Sequence, residues 1–594
     1  MSDKLLSFIS VPSAYDVSVI PNQSEFTFIS NKSGIPQAWI LDGEMEPVLY
    51  GEYPDRVLGV HHSPQGNKSI IKIDKDGDEK QQFYLQNGTS DKIEQIVYSP
   101  NHFHKFGGWS PNGEKICFSS NRRKPGYFDV FIQNLQTKEI IKVFEFDGIC
   151  EPICWTSDGQ SIVISIDQTN IENTLYILDL NTKELKNIGD KQALATYLDI
   201  QLTDDNKGAY ILTNLNEDTM YLGYFSLNDS EKITNIFHVP NWDIEILKLS
   251  PDESKLSFTV NEGGISKLVI FDLVKKTPIY IEEIPYGVID SLSWKNNEEV
   301  IFSLKSPTIP GDIFKYHINE NNVERLTNIS EKKEIKNEWI YPELCSFESF
   351  DEVEIPYFIY QKDKTKNKPT VIFVHGGPES QTRAVYNPVV QYLAEKGFAV
   401  ITPNVRGSKG YGRKYIKMDD GRKRMDAVKD LVWLTKDLVH SHKVDKDKIG
   451  IMGRSYGGFM VLAAMTHFPE VWAAGVNIVG ISNFKSFLEN TGAWRRQLRE
   501  SEYGSLEHDS DFFEKIAPIH RAKYINAPLL VFHGKNDTRV PISEAEQLVY
   551  GMKDRNQTVE FIVFDNEGHH TENMENIITM HKKTIEFFEQ YLIE

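Results

Sequence analysis

One short pattern returns along the first part of the chain at nearly even intervals. A hydrophobic residue is followed by Ser or Thr, a polar turn, a strand-like run, a loop and a second strand-like run. The clearest copy is Trp109-Ser110-Pro111-Asn112-Gly113-Glu114, followed by an apolar run at 115–119, a loop at 121–127 and a strand at 129–132. Taking Ile20, Ser63, Ser110, Thr156, Thr203, Ser250 and Lys295 as anchors, the spacings are 43, 47, 46, 47, 47 and 45 residues. A unit of about 45 residues holding about four short alternating strands suits a propeller blade. Seven such units predict a seven-bladed β-propeller.

The rhythm changes after about Ser330. Glu331-Lys332-Lys333-Glu334 reads as a charged connector. Two short strands are expected within 343–360, then a lysine-rich polar loop at 362–368. From Thr370 onward apolar strands alternate with amphipathic helices, the pattern of a mostly parallel sheet covered on both faces. The strands are expected at 371–374, 399–401, 449–452, 474–478, 529–532 and 559–563, and helices at 426–439 and 577–592.

Length and charge narrow the function. The 594 residues allow two to four domains, and 40% hydrophobic with 25% charged residues is a globular balance. Lys plus Arg number 65 against 85 Asp plus Glu, a formal charge of −20, which argues against a nucleic-acid partner. No apolar run approaches the ~18–20 residues that span a bilayer, so no membrane partner is expected. The first ten residues carry no secretory signal. Four cysteines (Cys117, Cys150, Cys154 and Cys345) are too few for a disulfide-built fold and fit a reducing cytoplasm. Cys150 and Cys154 read as small apolar strand residues.

The most specific signal is Gly453-Arg454-Ser455-Tyr456-Gly457-Gly458, set between a buried strand and an apolar helical stretch. A strand turning sharply into a helix lifts the central serine out of the sheet, and small residues two places either side let the turn close. A serine hydroxyl is a weak nucleophile, so it needs a base, and the base needs an orienting carboxylate. This sheet type orders them Ser, Asp or Glu, then His. Asp537 follows the strand at 529–532, and either His569 or His570 follows the strand at 559–563. The oxyanion needs donors: the Tyr456 N–H, and a second from His375-Gly376-Gly377-Pro378 after the first buried strand.

Together with a seven-bladed propeller, these motifs and the stretch 404–412 resemble the prolyl oligopeptidase family of serine peptidases, most closely its acylaminoacyl peptidase branch. The resemblance implies an N-terminal seven-bladed β-propeller over 1–330 that gates the site and a C-terminal α/β-hydrolase domain over 331–594. The first ten or so residues are expected to pack on the hydrolase. It assigns Ser455 as nucleophile, Asp537 as orienter, His569 as base, directly after Gly568, and His375 with Tyr456 as oxyanion hole. It places Ile481, Phe484, Phe487 and Val540 in the pocket for the residue before the cut bond. Arg495, Arg496 and Arg499 follow that segment, and one of them could grip a substrate carboxylate.

No cofactor is expected, and His61-His62, His102 with His104 and His440 with His442 lack the companions of a metal set. Arg406 reads as a structural ion-pair residue. Glu282-Glu283 is expected on a strand. The expected function is cleavage of short peptides, with a homo-oligomer left open. The rival readings are an esterase or amidase using the same triad on a small metabolite, and a non-catalytic propeller scaffold.

Overall fold

The computed structural model describes residues 3–43, 46–89, 92–330, 339–442 and 444–593. The charged connector at 331–334 lies outside the described residues. Among the described residues, seven four-stranded antiparallel sheets follow one another from Ala14 to Arg325, each built from four consecutive strands. These are the propeller blades.

All seven sequence anchors fall at one structural position, directly after the first strand of each blade. The chemistry of the turn explains the pattern. The Ser110 hydroxyl donates to Asn112 Oδ1 at 2.8 Å and accepts the Lys115 N–H at 2.9 Å. Thr156, Thr203 and Ser250 repeat this with Asp158, Asp205 and Asp252. A hydroxyl followed two residues later by Asp or Asn thus closes the hairpin in these four blades, while Ser63 bonds Asn67 instead. The first blade packs on the seventh through Ala14, Val17 and Phe28 against Ile301 and Ile313, and the Val17 N–H donates to Ser291 Oγ at 2.8 Å. The ring therefore closes by packing, with no strand exchanged between these two blades.

Two details differ from expectation. The expected loop at 121–127 is mostly strand: Lys115–Lys124 pairs with Tyr127–Asn134. Arg123 binds Asp129 through two hydrogen bonds of 2.8 and 2.9 Å, which holds the longer hairpin extended. Glu282 and Glu283 lie in a turn after the strand Thr277–Tyr280, where Pro285 and Gly287 follow.

The remaining strands form one eight-stranded sheet: β1 (Glu343–Glu348), β2 (Glu354–Tyr360), β3 (Thr370–Val374), β4 (Ala399–Pro403), β5 (Ile449–Arg454), β6 (Ala474–Ile478), β7 (Leu529–Gly534) and β8 (Val559–Phe564). Their order is β1-β2-β4-β3-β5-β6-β7-β8, antiparallel over the first two pairs and parallel thereafter. Alternate residues of each strand enter opposite cores. Ile372, Ile451 and Val531 face one, with the helices Arg424–Ser441 and Tyr456–His467. Val371, Met452 and Leu530 face the other, with the helix Met574–Leu592. The N-terminal helix Asp3–Ile9 joins this second core, where Phe8 meets Tyr392 edge-on at 5.5 Å. This is an α/β-hydrolase sheet capped by a seven-bladed propeller.

Candidate active site

Ser455 sits between β5 and the helix Tyr456–His467, with φ 58° and ψ −118°. A non-glycine residue at positive φ is strained, and the surroundings hold it. Its N–H donates to the Ile478 carbonyl at 2.8 Å, and its own carbonyl receives the Phe459 N–H at 3.0 Å. The flanking glycines are steric requirements. A Cβ on Gly453 would overlap the Gly457 carbonyl, and one on Gly457 would overlap the carbonyls of Val374 and His375.

Asp537 and His569 lie on the loops after β7 and β8, as the sheet order requires. His569 Nδ1 is 2.8 Å from Asp537 Oδ2, and both side chains are buried. Asp537 Oδ1 accepts the N–H groups of Arg539 and Val540 at 2.8 and 2.9 Å. Burial pushes the Asp537 carboxyl up, but His569, His533 and the Val540 N–H together outweigh it and leave the carboxyl below its ordinary range. Burial also dominates at His569: the imidazole stays below its ordinary pKa although Asp537 pulls it up. The base position is thus held neutral. His569 Nε2 and Ser455 Oγ bond no other described residue, which leaves both free to meet; such contacts tighten only when substrate binds. His570 is exposed and turned edge-on to His569. Arg454, the residue before the serine, donates to the His569 carbonyl at 3.0 Å and approaches His570 Nδ1 at 3.3 Å.

Tyr456 is the first residue of its helix, so its N–H has no intrahelical acceptor. The opposing loop lies close: a Cβ on Gly376 would reach 3.4 Å from Ser455 Cβ. The ring nitrogens of His375 are both committed, Nδ1 to the Gly376 carbonyl at 2.7 Å and Nε2 to Ser408 Oγ at 2.8 Å. Burial pushes this imidazole down to about 4. What His375 and its glycines offer an oxyanion is therefore backbone N–H, not the ring.

The four expected pocket residues come together, but as packed core. Ile481, Phe484, Phe487 and Val540 are 1–2% exposed and share one cluster with Tyr456, Phe459 and Tyr503. The Phe484 ring centroid is 4.5 Å from those of both Phe459 and Tyr503. The three arginines separate. Arg496 is exposed and pairs with Glu500 at 3.5 Å. Arg499 meets Glu379 at 3.4 Å. Arg495 has no ion-pair or hydrogen-bond partner for its guanidinium among the described residues. Arg406 is structural: it binds Asp351 through two hydrogen bonds of 2.7 Å and also binds Asp430.

Three features escape sequence reasoning. First, Glu79 of the propeller binds Arg539 Nε at 2.8 and 3.0 Å and the Thr538 hydroxyl at 2.9 Å, in the loop carrying Asp537. Neighbouring Gly77 packs against Gly568, just before His569. Second, the Tyr456 hydroxyl donates to Asp419 at 3.0 Å, and buried Arg424 binds both Asp419 and Glu502. Asp419, Asp420 and Glu502 lie close enough together for a cation, but Arg424 already supplies positive charge there. Third, a cavity of about 580 Å³ lies between propeller and sheet, lined by Asp199, Asp243 and Asp290 on one side and Glu379, Lys409 and Arg413 on the other.

A strained serine at a strand-to-helix elbow, with a buried Asp–His pair on the next loops and a propeller closing over them, is the architecture of a serine hydrolase. Residues 384–594, most of the domain that carries the eight-stranded sheet, match the model of the prolyl oligopeptidase family. The dipeptidyl aminopeptidase BIII of Pseudoxanthomonas mexicana is 33% identical over 229 residues, covering 38% of this chain and 33% of that protein. The acylamino-acid-releasing enzyme of Arabidopsis thaliana is 28% identical over 227 residues, covering 36% of this chain and 30% of its own length. These matches thus span about a third of either relative. The solved puromycin-hydrolyzing peptidase of Mycobacterium tuberculosis superposes with a TM-score of 0.88 over 100% of this chain and 96% of that one, at 17% identity, so the likeness is one of fold.

Proposed function

We propose that the chain is a serine peptidase that cuts short peptides through an acyl-enzyme. The observation that carries the reading is the buried His569–Asp537 hydrogen bond of 2.8 Å beside the strained Ser455. Ser455 Oγ attacks the peptide carbonyl as His569 Nε2 takes its proton. Asp537 holds the imidazole through Nδ1 and stabilises its charged form. The carbonyl electrons move onto an oxyanion that accepts the Tyr456 N–H and a backbone N–H of the loop 375–377. His569 then gives the proton to the leaving amine as the C–N bond breaks. A water, deprotonated by the same imidazole, releases the acyl group and regenerates Ser455.

The names of the two relatives, an aminopeptidase and an acylamino-acid-releasing enzyme, support peptides as substrates. Ile481, Phe484, Phe487 and Val540, packed together next to Tyr456, are the wall of the pocket before the cut bond. Residues 1–330 act as the gating domain and 331–594 as the catalytic one, with the inter-domain cavity admitting only short chains. The protein works in the cytoplasm, in line with its few cysteines; among the described residues no helix is long and apolar enough to cross a membrane.

The test is a peptide library with free and blocked N- and C-termini, read by mass spectrometry beside labelling with a fluorophosphonate. Labelling of Ser455 with peptide cleavage is expected. Labelling with hydrolysis of short acyl esters and no peptide cut would move the reading to an esterase, and no labelling would leave a scaffold.

A further inference from the structure

The helix Ala493–Tyr503 runs alongside the site with Arg495, Arg499 and Tyr503 spaced four apart, so all three share one face. That face looks at the chemistry: the Tyr503 ring stacks on Tyr456 at 6.2 Å, and Arg499 reaches Glu379, four residues after His375. Arg495 lies in the field of Arg499, Arg539, Glu79 and Tyr503, and Arg539 in turn acts on His569. Three guanidiniums therefore gather beside the triad loops.

Two of them are matched. Arg499 has Glu379, and Arg539 has Glu79, whose carboxylate also holds the Thr538 hydroxyl. Arg495 has neither ion pair nor hydrogen bond among the described residues; its guanidinium only lies 5.2 Å from the centroid of the Trp494 ring. Beside it the buried Trp494 Nε1 also lacks an acceptor. A half-buried, planar, five-donor cation left unmatched among matched ones is a site short of one anion. Burial and the two neighbouring arginines push its pKa down to about 10, so a carboxylate arriving there relieves repulsion as well as supplying hydrogen bonds.

We propose that Arg495 receives a substrate carboxylate, making this chain selective for peptides that present a free acid near the cut bond. This deepens the peptidase reading and rests on it for the identity of the ligand. The carboxylate has two sources, the peptide C-terminus or an Asp or Glu side chain, and one experiment separates them.

Binding is measured on the full-length Ser455→Ala protein, so that no turnover is needed. One pair of fluorescent peptides differs only in a free or amidated C-terminus. A second pair, amidated throughout, differs only in Asp against Asn. A charge-assisted contact predicts about ten- to hundredfold tighter binding of one acid member. If the preference follows the first pair, the C-terminus is the ligand; if the second, a side chain is. Arg495→Gln in the same protein should erase the preference, with circular dichroism showing that the fold is kept. Arg496→Gln should retain it, because the Arg496 guanidinium is exposed and already paired with Glu500. Equal affinities in both pairs, or a preference surviving Arg495→Gln, overturns the proposal. Failure of the wild-type chain to cleave any peptide would overturn the peptidase reading without touching this binding result.

Discussion

Replacing Glu79 by alanine tests whether the propeller does more than cover the site. Glu79 belongs to a propeller hairpin, yet its carboxylate takes three N–H contacts from Arg539 and the hydroxyl of Thr538. Its side chain is 17% exposed and that of Arg539 34%. A charged hydrogen bond is worth ~1.5–3 kcal/mol when buried, and partial exposure brings the whole contact to about 2 kcal/mol. That energy constrains the loop in which Asp537 Oδ1 holds the N–H groups of Arg539 and Val540. Released, the loop lets the His569 ring drift, and a displacement of about 1 Å in a catalytic group costs on the order of a hundredfold. We expect Glu79→Ala to lower kcat ten- to hundredfold on a short peptide or small ester, with both domains still folded. In a double-mutant cycle, Arg539→Ala should add little once Glu79 is gone, giving a coupling of about 1–3 kcal/mol. A Glu79→Ala enzyme with kcat within twofold of wild type, or strictly additive losses in the cycle, would refute a positioning role for the propeller contact.

Ser455→Ala should lower kcat by about 10⁶ with the fold unchanged, since loss of the nucleophile in a comparable triad costs that much; turnover at a tenth of the wild-type rate would remove Ser455 from the mechanism. His569→Ala should lose several orders of magnitude in kcat and His570→Ala tenfold or less, and the reverse ranking would reassign the base. The base acts when neutral, and burial keeps His569 below its ordinary value, so kcat/KM should rise with pH through an apparent pKa below ~6.5 and be flat above it; a rise centred above ~6.5 would contradict the buried geometry. Peptides should be cut and folded proteins spared, and efficient digestion of a folded protein by the intact chain would contradict a gating propeller.

What the sequence makes legible depends on whether a contact is local or distant. The blade turns are legible because a Ser110 or Thr156 hydroxyl needs its partner only two residues away, so the pattern survives in linear order. The expected triad residues are legible for a related reason. A parallel sheet delivers Ser455, Asp537 and His569 to loops at one edge, each directly after a strand that can be read from its apolar run. Helix ends are less visible, because a cap outruns the apolar period: Asn573 accepts the Glu575 N–H, so the last helix begins at Met574, three residues before the stripe starts at Ile577. Long-range polar contacts are not visible at all. Asp419-Asp420-Gly421-Arg422-Lys423-Arg424 has the composition of a solvated loop, yet Asp419 and Arg424 are buried under Tyr456 and joined to Glu502. Charge in a sequence reports solvation only when no distant partner exists, and here the partners come from far along the chain. The same holds for Glu79, whose partners lie more than 450 residues away, and for Asn170, which reaches Glu379 and Glu502 from a propeller loop. Sequence motifs can therefore propose which atoms react, while the groups that hold those atoms in place emerge only when the two domains are seen together.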